Sequence, residues 1–481
     1  MDAGSWTRKM KKPLKACAGL LAFAALAPAA PVGDGIVNGV HGYTPKHYVQ
    51  PKEKEVLERL EWFKDQKLGF FMCLGLYSEL GITESWPLSD ADAKWSRRGI
   101  DWTTDGETFK RQYWGLIRSF NPVRFEPQKW ADVAARNGFK YVIFTTKQHD
   151  GFCLWDTKFS DYKVTAKECP FSADPRADIV RGVFDAFRAR ELGIAAYFSK
   201  PDWHHPDYWD NCGLGYRTTR MPSYSVKKNP ARWRRFADFT ANQLAELVEN
   251  YGPIDILWLD GGQVQRRSGL DIGIEKIIAR CRRTNPALIS VDRCAGGSCE
   301  NVITPEQTVP KKPILAPWES CITLGTSWGY AYDAKYKPAR EVIQLLLDIV
   351  AKGGNLALDV GPMPDGRLPQ PAIAELDKLG AWLKANGEAV YATRPVEPYR
   401  VGNWVYTRKG DAIYATRLWQ DGEQPSATLP LPLGGNKGVK EVTHLASGAK
   451  VAFAEKDAKL TLTLPPDFKM DAVADAFRIQ F

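Results

Sequence analysis

Short apolar runs alternate with amphipathic helical stretches along most of the chain. The runs are rich in β-branched and aromatic residues and cover 68–73, 141–146, 194–199, 255–260, 288–291 and 356–360. The stretches between them include 127–137, 179–191 and 230–251, where apolar residues recur at three-to-four spacing. Runs of the first kind are typical of strands buried on both faces. Their alternation with helices predicts an α/β protein with a parallel sheet.

Both a closed barrel and an open doubly wound sheet would produce this alternation. The sequence contains neither G-x-G-x-x-G nor G-x-x-x-x-G-K-[ST] at the start of a helix, which disfavours a nucleotide-binding sheet. Residues 48–390 have the length of a (β/α)8-like, TIM-type barrel with insertions. Alternating polar and apolar residues around turns such as Lys409-Gly410 then predict an antiparallel β-sandwich domain over 395–481.

The first 27 residues have the pattern of a secretory signal peptide. A basic start between Arg8 and Lys15 precedes an apolar run, and Ala25-Leu26-Ala27 is typical of a cleavage site. A flexible basic tail is the alternative. The apolar run is too short to span a membrane. We therefore expect a linker over 28–47 and an exported protein, periplasmic or extracellular, without a membrane span.

Charge content bears on the partners of the protein, and cysteine content bears on its metal sites and disulfides. The first 27 residues contribute +4 of the formal net charge of +9, so the remainder carries +5, with no dense Lys/Arg face. A nucleic-acid partner is not expected. Eight cysteines follow Cys17 at irregular spacings without a CxxC pair, which predicts no zinc module and at most one or two disulfides. Cys294 and Cys299 are the nearest candidate pair.

In a parallel barrel, reactive groups lie at the carboxyl ends of the strands. Asp260 ends an apolar run before two glycines that would let a ligand approach the backbone, although an Asx turn or a helix cap is an alternative role. The apolar stretch 315–318 predicts a further strand that ends at Glu319. The Trp318 indole could shield the Glu319 carboxyl and raise its pKa, as a general acid needs. An Asp and a Glu on different strands supply the nucleophile and the acid/base of glycoside hydrolysis.

Six blocks of sequence occur in the order found in one known family. They are GFFMCLGLYS (69–78), FNPVRF (120–125), KQHDGF (147–152), YGPIDILWLDG (251–261), PWE with SWGY (317–319, 327–330), and GGNL with VGPMPDG (353–356, 360–366). In these blocks the chain resembles glycoside hydrolase family 29, the α-L-fucosidases. The resemblance implies a barrel enzyme that releases terminal α-L-fucosyl residues from a glycan or other fucoside with retention of configuration.

The resemblance also implies roles for individual residues. Asp260 would be the nucleophile and Glu319 the acid/base. Residues expected to contact the sugar are Cys73, Glu84, Trp86, Gln148, His149, Tyr197, Trp203, Arg293 and Trp318. No metal and no organic cofactor is implied. Whether the chain forms a homo-oligomer is left open.

Two departures from the family pattern bear on the choice of sugar. The family usually has His-Trp-Gly where this chain has Cys73-Leu74-Gly75, and His-His where it has Gln148-His149. The Glu84-Ser85-Trp86 block also has one residue more than the family's Glu-Trp. A thiol is a poor hydrogen-bond donor and an amide differs in geometry from an imidazole. A glycosidase for a fucose-like sugar, such as an α-L-galactoside, is therefore the first alternative, and a non-catalytic sugar-binding protein is the second.

Overall fold

The structure is a computed structural model that describes residues 48–97, 100–433, 438–456 and 459–481. The predicted signal peptide and the predicted linker both lie outside these residues. Among the helices described, none is long and apolar enough to cross a membrane.

Seven parallel strands form one sheet in the order β5-β4-β3-β2-β1-β7-β6. They are β1 Leu68–Met72, β2 Tyr141–Lys147, β3 Gly193–Ser199, β4 Ile256–Asp260, β5 Ile289–Asp292, β6 Glu319–Thr323 and β7 Asn355–Asp359. Six of them match a predicted run to within one residue at either end. Strand β6 begins at Glu319, the residue at which the predicted strand over 315–318 was expected to end.

Helices connect and cover the parallel strands. They are α1 Lys54–Gln66, α2 Tyr77–Leu80, α3 Gly106–Gly115, α4 Pro127–Arg136, α5 Ile179–Arg188, α6 Pro230–Asn250, α7 Ile274–Thr284, α8 Ala339–Ala351 and α9 Gln370–Asn386. Helix α5 shows how the sequence specifies them. The Asp178 carboxylate caps its first turn by accepting a hydrogen bond from Arg181 N at 3.1 Å, and one apolar face, including Val183 and Phe187, is fully buried.

An irregular segment, residues 300–307, bridges the two edge strands of the parallel sheet. Asn301 N donates to Ser290 O in β5 at 2.8 Å, and Gln307 N donates to Cys321 O in β6 at 2.9 Å. Within the described residues, seven strands and this segment therefore stand where the sequence analysis predicted eight strands. The parallel helix-covered sheet is confirmed, whereas a regular eighth strand is not observed.

Antiparallel strands begin at Arg394, close to the predicted change of pattern. They are β8 Arg394–Val401, β9 Trp404–Lys409, β10 Ala412–Leu418, β11 Thr428–Leu431, β12 Glu441–His444, β13 Ala452–Lys456, β14 Lys459–Thr463 and β15 Ala474–Gln480. Five of them form a sheet in the order β12-β15-β10-β9-β8, and β11, β14 and β13 form a second. Trp404 and Ile413 from the first sheet share one hydrophobic cluster with Leu429 and Leu460 from the second.

The antiparallel sheets are attached to the helices of the parallel sheet. The Arg340 guanidinium on α8 donates to Trp419 O at 2.6 Å, and the Trp382 indole N–H on α9 donates to Ala474 O at 2.9 Å. Both acceptors are backbone carbonyls of the antiparallel domain. These two hydrogen bonds therefore do not depend on which side chains Trp419 and Ala474 carry. These two helices flank β7, one of the strands that end at the site described below.

Gly361 follows β7 and allows two backbone segments to approach closely. A Cβ atom on this residue would lie 2.0 Å from the carbonyl carbon of Gly329 and 2.2 Å from Tyr330 N. Since backbone atoms cannot rotate away as a side chain can, we expect Gly361→Ala to lower the free energy of unfolding by about 1–3 kcal/mol or more, measured by urea denaturation. Gly325→Ala is the control, because its Cβ would meet nothing closer than Tyr336 Cε1 at 3.4 Å. Equal losses in the two variants would contradict the prediction.

Candidate active site

Polar and acidic side chains gather at the carboxyl ends of adjacent parallel strands. Asp260 is the last residue of β4 and lies in register with Ser199, the last residue of β3. Asp359 ends β7. Since all these strands run the same way, their carboxyl ends open on one edge of the sheet, where ligands bind in folds of this kind.

Both carboxylate oxygens of Asp260 are hydrogen-bonded. Arg293 Nη1 donates to Oδ1 at 3.1 Å, and the Tyr197 hydroxyl lies 2.8 Å from Oδ2. Burial alone would raise the pKa of Asp260, but the Arg293 charge, the Gly261 amide and the Tyr197 hydroxyl hold that pKa below its ordinary value. The carboxylate is therefore ionised at neutral pH and fixed in orientation.

Glu306 is a site residue that the sequence analysis missed. Arg293 Nη2 donates to Glu306 Oε2, so the two terminal nitrogens of one guanidinium join Glu306 to Asp260. The Arg293 side chain is only 8% exposed, and its guanidinium lies over the Trp258 ring at 5.5 Å. Glu306 belongs to the irregular segment 300–307. Its signal in the sequence was an acidic residue directly after the short apolar stretch 302–305.

Glu319 does not lie beside Asp260. It is the first residue of β6, in register with Asn355, the first residue of β7, so it stands at the amino edge of the sheet. Its buried carboxyl accepts hydrogen bonds from the Tyr141 hydroxyl at 2.6 Å and from the Trp258 indole N–H at 2.7 Å. The prediction that Glu319 ends a strand at the mouth is wrong, because the strand begins at this residue.

Trp258 separates Glu319 from Asp260. Trp258 and Asp260 are two residues apart on β4 and therefore point to the same face. The indole binds Glu319 through its N–H, while Arg293 covers its ring. Glu319 thus occupies a deeper layer. Burial raises its pKa above the ordinary value, and the two hydrogen bonds offset only part of that rise.

Trp318 is also remote from the carboxyl ends of the strands. It is buried and packs against Gly354, where a Cβ atom would lie 2.5 Å from Trp318 Cζ2. Gly354 immediately precedes β7, so this contact is at the amino edge of the sheet. The position predicted for Trp318, beside Asp260 at the carboxyl ends of the strands, is therefore wrong for the same reason as the position predicted for Glu319.

Gln148 and Glu84 form a buried pair close to Asp260. Gln148 Nε2 donates to Glu84 Oε1, and Gln148 Oε1 accepts from the Ser199 hydroxyl at 2.6 Å. The Trp86 indole N–H donates to Glu84 Oε2 at 3.0 Å. Burial, followed by the charges of Asp260 and Glu306, raises the pKa of Glu84 well above its ordinary value. Burial therefore favours the protonated form of Glu84, and Gln148 fixes its position.

His149 lies between two tryptophans. Its ring centroid is 4.0 Å from that of Trp203 and 4.6 Å from that of Trp86. Nδ1 is 2.5 Å from the Ser85 hydroxyl, and Nε2 is a buried atom with no hydrogen-bond partner in the described structure. Burial lowers the pKa of His149 to about 3. A neutral imidazole with one unpartnered nitrogen is suited to a hydrogen bond with an uncharged ligand.

Cys73 and Asp359 face each other at the ends of β1 and β7. Cys73 directly follows β1 and hydrogen-bonds the Asp359 carboxyl. The negative charges of Asp359, Glu84 and Asp260 all raise the pKa of the Cys73 thiol, after burial. Cys73 therefore belongs to the same site as Asp260. Asp359 was missed because the predicted run continued one residue further, to Val360, whereas the strand ends at Asp359.

The described residues contain no group of three or more His, Cys, Asp or Glu side chains arranged to hold a metal ion. The eight cysteines from Cys73 to Cys321 are all free in the structure. Cys294 and Cys299, the candidate disulfide pair, are therefore not bonded to each other. Cys294 lies next to Arg293, whose positive charge lowers its pKa, although burial raises that pKa to about 12 overall.

Comparison with known proteins gives the family. The family model for alpha-L-fucosidase matches residues 38–388. The chain belongs to the alpha-L-fucosidase family. The members of this family are glycoside hydrolases, so the resemblance drawn from the six sequence blocks is confirmed, and with it the enzyme class.

Relatives within the family span most of the chain. Plasma alpha-L-fucosidase from Homo sapiens is 28% identical over 349 residues, which are 69% of each chain. Tissue alpha-L-fucosidase from Homo sapiens is 28% identical over 438 residues, 84% of each chain. Among solved structures, alpha-L-fucosidase isoenzyme 1 from Paenibacillus thiaminolyticus has a TM-score of 0.73 at 29% identity and covers 89% of this chain and 99% of its own. The alpha-fucosidase of Thermotoga maritima in complex with a mechanism-based inhibitor has a TM-score of 0.72 at 25% identity, covering 90% of this chain and 100% of its own.

The lowered pKa of His149 leads to a prediction about how the free energy of unfolding depends on pH. The pKa falls from 6.5 to about 3 on folding, so below pH 6.5 the unfolded chain binds a proton that the folded chain does not. Stability from this group is present above pH 6.5 and is lost as the pH falls. Between pH 7 and pH 5 the loss is about 2 kcal/mol. In His149→Gln that contribution is absent, since glutamine does not titrate.

The measurement is the free energy of unfolding of both proteins at pH 5 and pH 7. We expect the pH-dependent change to differ between wild type and variant by about 2 kcal/mol, with the wild type losing more on acidification. Other titrating groups contribute equally to both proteins and cancel. Identical pH dependence in the two proteins would refute a buried, neutral His149.

Proposed function

We propose that this enzyme hydrolyses terminal α-L-fucosyl residues by a retaining, exo-acting mechanism through a covalent glycosyl-enzyme. The observation that carries the proposal is the Arg293 guanidinium that binds Asp260 through one nitrogen and Glu306 through the other. Retaining glycosidases hold two carboxyl groups about 5–5.5 Å apart. A shared guanidinium favours a separation of that order. The segment 300–307, which bridges the two edge strands of the parallel sheet, supports a (β/α)8-like barrel as the framework.

Asp260 is the proposed nucleophile. Its pKa is lowered by Arg293 and Tyr197, and a nucleophile must be ionised at the start of the reaction. Its carboxylate would attack the anomeric carbon as the glycosidic bond breaks. Arg293 and the Tyr197 hydroxyl would hold the carboxylate in the orientation that the attack requires.

Glu306 is the proposed acid/base, in place of Glu319. An acid/base must reach the leaving-group oxygen in the first step and a water molecule in the second. The Glu306 side chain is 14% exposed, whereas Glu319 is fully buried beneath Trp258. Burial raises the pKa of Glu84 as well, but both of its oxygens already accept hydrogen bonds from Gln148 and Trp86.

The remaining residues of the site are proposed to bind the sugar. His149, Trp86 and Trp203 form a mixed aromatic and polar wall, and the unpartnered His149 Nε2 is its free hydrogen-bonding group. Cys73, Glu84, Gln148 and Tyr197 provide the polar floor. We also propose that the protein is exported, as the pattern of its first 27 residues indicates.

The nucleophile assignment is tested with Asp260→Gly. We expect hydrolysis of an aryl α-L-fucoside to fall on the order of 10⁴-fold or more, because no carboxylate remains to form the glycosyl-enzyme. Added azide should enter the space left by the side chain and attack from the nucleophile's face. The product would then be β-L-fucosyl azide, identified by NMR or mass spectrometry.

Asp421→Gly is the control, since Asp421 is exposed on the antiparallel domain. It should retain full activity and give no azide product. Undiminished hydrolysis in Asp260→Gly would contradict the nucleophile role. Hydrolysis lost in both variants would indicate a general effect of the substitution on the fold.

The acid/base assignment is tested by comparing Glu306→Gln with Glu319→Gln. In Glu306→Gln, we expect kcat/KM for fucosides with poor leaving groups to fall by about 10²–10⁴-fold. Fucosides with strongly acidic leaving groups, such as dinitrophenol, should be affected least, because they need no protonation. The limb of the pH profile that reports the general acid should also disappear.

Glu319→Gln should behave differently. It disturbs the buried hydrogen bonds from Tyr141 and Trp258, so we expect a lower Tm together with an unchanged dependence on leaving group and pH. If Glu319→Gln instead shows the leaving-group dependence, Glu319 is the acid/base and our assignment is wrong. If Glu84→Gln shows it, that role belongs to Glu84.

A further inference from the structure

The proposed mechanism makes no use of the Asp359 carboxyl at the end of β7. Asp359 is 1% exposed and lies in register with Phe71 on β1 and Thr323 on β6. Its Oδ2 accepts a long hydrogen bond of 3.3 Å from Gly329 N, and its Oδ1 has no hydrogen-bond partner in the part of the chain described. One oxygen of a fully buried carboxyl is thus left without a donor.

The fold does not explain this carboxyl. Burial raises the pKa of Asp359 to about 7. The thiol and the backbone N–H of Cys73 also hydrogen-bond this carboxyl, but no lysine or arginine acts on its pKa. A buried acid without a cation and with an unpaired oxygen is destabilising. Groups of this kind concentrate at sites where a ligand supplies the missing partner.

Asp359 is close to the residues that surround the sugar. Its charge raises the pKa of Cys73 and of Glu84, and the charge of Asp260 acts on the same two groups. Burial raises the pKa of the Tyr77 hydroxyl, and the charges of Cys73, Glu84 and Asp359 raise it further. The Tyr77 hydroxyl oxygen is also a buried atom without a hydrogen-bond partner in the described structure. Two unpaired polar atoms therefore lie on the flank of the site formed by β1 and β7.

We propose that Asp359 is a specificity-determining residue whose Oδ1 accepts a hydrogen bond from a hydroxyl group of the glycon, the sugar ring bound next to Asp260. This inference rests on the proposed function. A hydroxyl group is the neutral donor that a buried carboxyl can accept without a second charge. Cys73, which lies on the same flank, is a weak donor. The flank therefore selects a ring position that carries a hydroxyl group able to donate to Asp359 Oδ1.

Asp359→Asn is the variant that isolates this contact. It has the same shape, its remaining oxygen can still accept the Gly329 N–H bond, and its amide group replaces the acceptor proposed to face the sugar. Asp365→Asn is the matched control, because Asp365 lies on the loop after β7 and pairs with Arg367 outside the site. Both variants are compared with wild type by Tm to verify folding.

The experiment is a double-mutant-type cycle that combines a change in the enzyme with the removal of one hydroxyl group from the substrate. The kcat/KM of each protein is measured on an aryl α-L-fucoside, on its 2-, 3- and 4-deoxy analogues, and on the α-L-galactoside, which has a hydroxyl on C6. In wild type, loss of the hydroxyl that contacts Asp359 should lower kcat/KM by about 10–100-fold, the range for a hydrogen bond to a charged group. In Asp359→Asn, kcat/KM for the parent fucoside should already be lower by about the same factor. Loss of the same hydroxyl should then change kcat/KM little.

Each outcome decides the proposal. A loss shared by every substrate in Asp359→Asn, with no coupling to any one hydroxyl, indicates a structural role and overturns it. If wild type hydrolyses none of these glycosides, the proposed function fails, and the same cycle is then measured as binding of free L-fucose, its deoxy analogues and L-galactose, followed by tryptophan fluorescence. Coupling in binding would support the role of Asp359 alone, and absence of coupling or of any binding would overturn it.

Discussion

The site depends on one guanidinium that binds two carboxylates. Arg293 follows β5, Asp260 ends β4, and Glu306 lies on the irregular segment beyond β5, so three separate parts of the chain meet on one side chain. Arginine suits this position because its planar group presents donors in two directions and stays charged when buried. A lysine would offer a single point charge and could not fix both acids. The rest of the site is arranged around the orientation that Arg293 gives them.

The charge of Arg293 also separates the acids by protonation state. Asp260 contacts the guanidinium directly, and its pKa is low. Glu84 and Asp359 have no such contact, and burial raises the pKa of both. Asp260, the proposed nucleophile, is thereby held in its ionised form, whereas burial favours the neutral forms of Glu84 and Asp359. Environments that drive pKa values apart are the usual means by which paired carboxyls obtain distinct roles.

The fold was largely predictable from sequence because buried parallel strands leave a strong apolar pattern. Asp260 was identified for the same reason, since it ends a strand that the pattern located to within one residue. The resemblance to the family identified His149, Gln148 and Arg293, each of which lies within two residues of the end of such a strand. The predicted position of Glu319 was wrong because the pattern there was ambiguous. The apolar residues before it resemble a strand, whereas hydrogen bonding places β6 after them, and a shift of one strand length moves a residue from one edge of the sheet to the other. Glu306 was missed because the segment that carries it pairs irregularly and has no strand period.

The contacts of Gln148 change the meaning of its departure from the family pattern. From sequence, glutamine in place of a histidine suggested an altered contact with the sugar. In the structure, its amide nitrogen binds Glu84, and its oxygen accepts from Ser199 at 2.6 Å and from Tyr197 at 2.9 Å. Tyr197 has one proton for two acceptors, Gln148 and Asp260, so the amide and the carboxylate compete for it. Gln148 therefore acts on the position of Glu84 and on the hydrogen bonding of Asp260, and it is through these two acids that we expect it to bear on sugar preference.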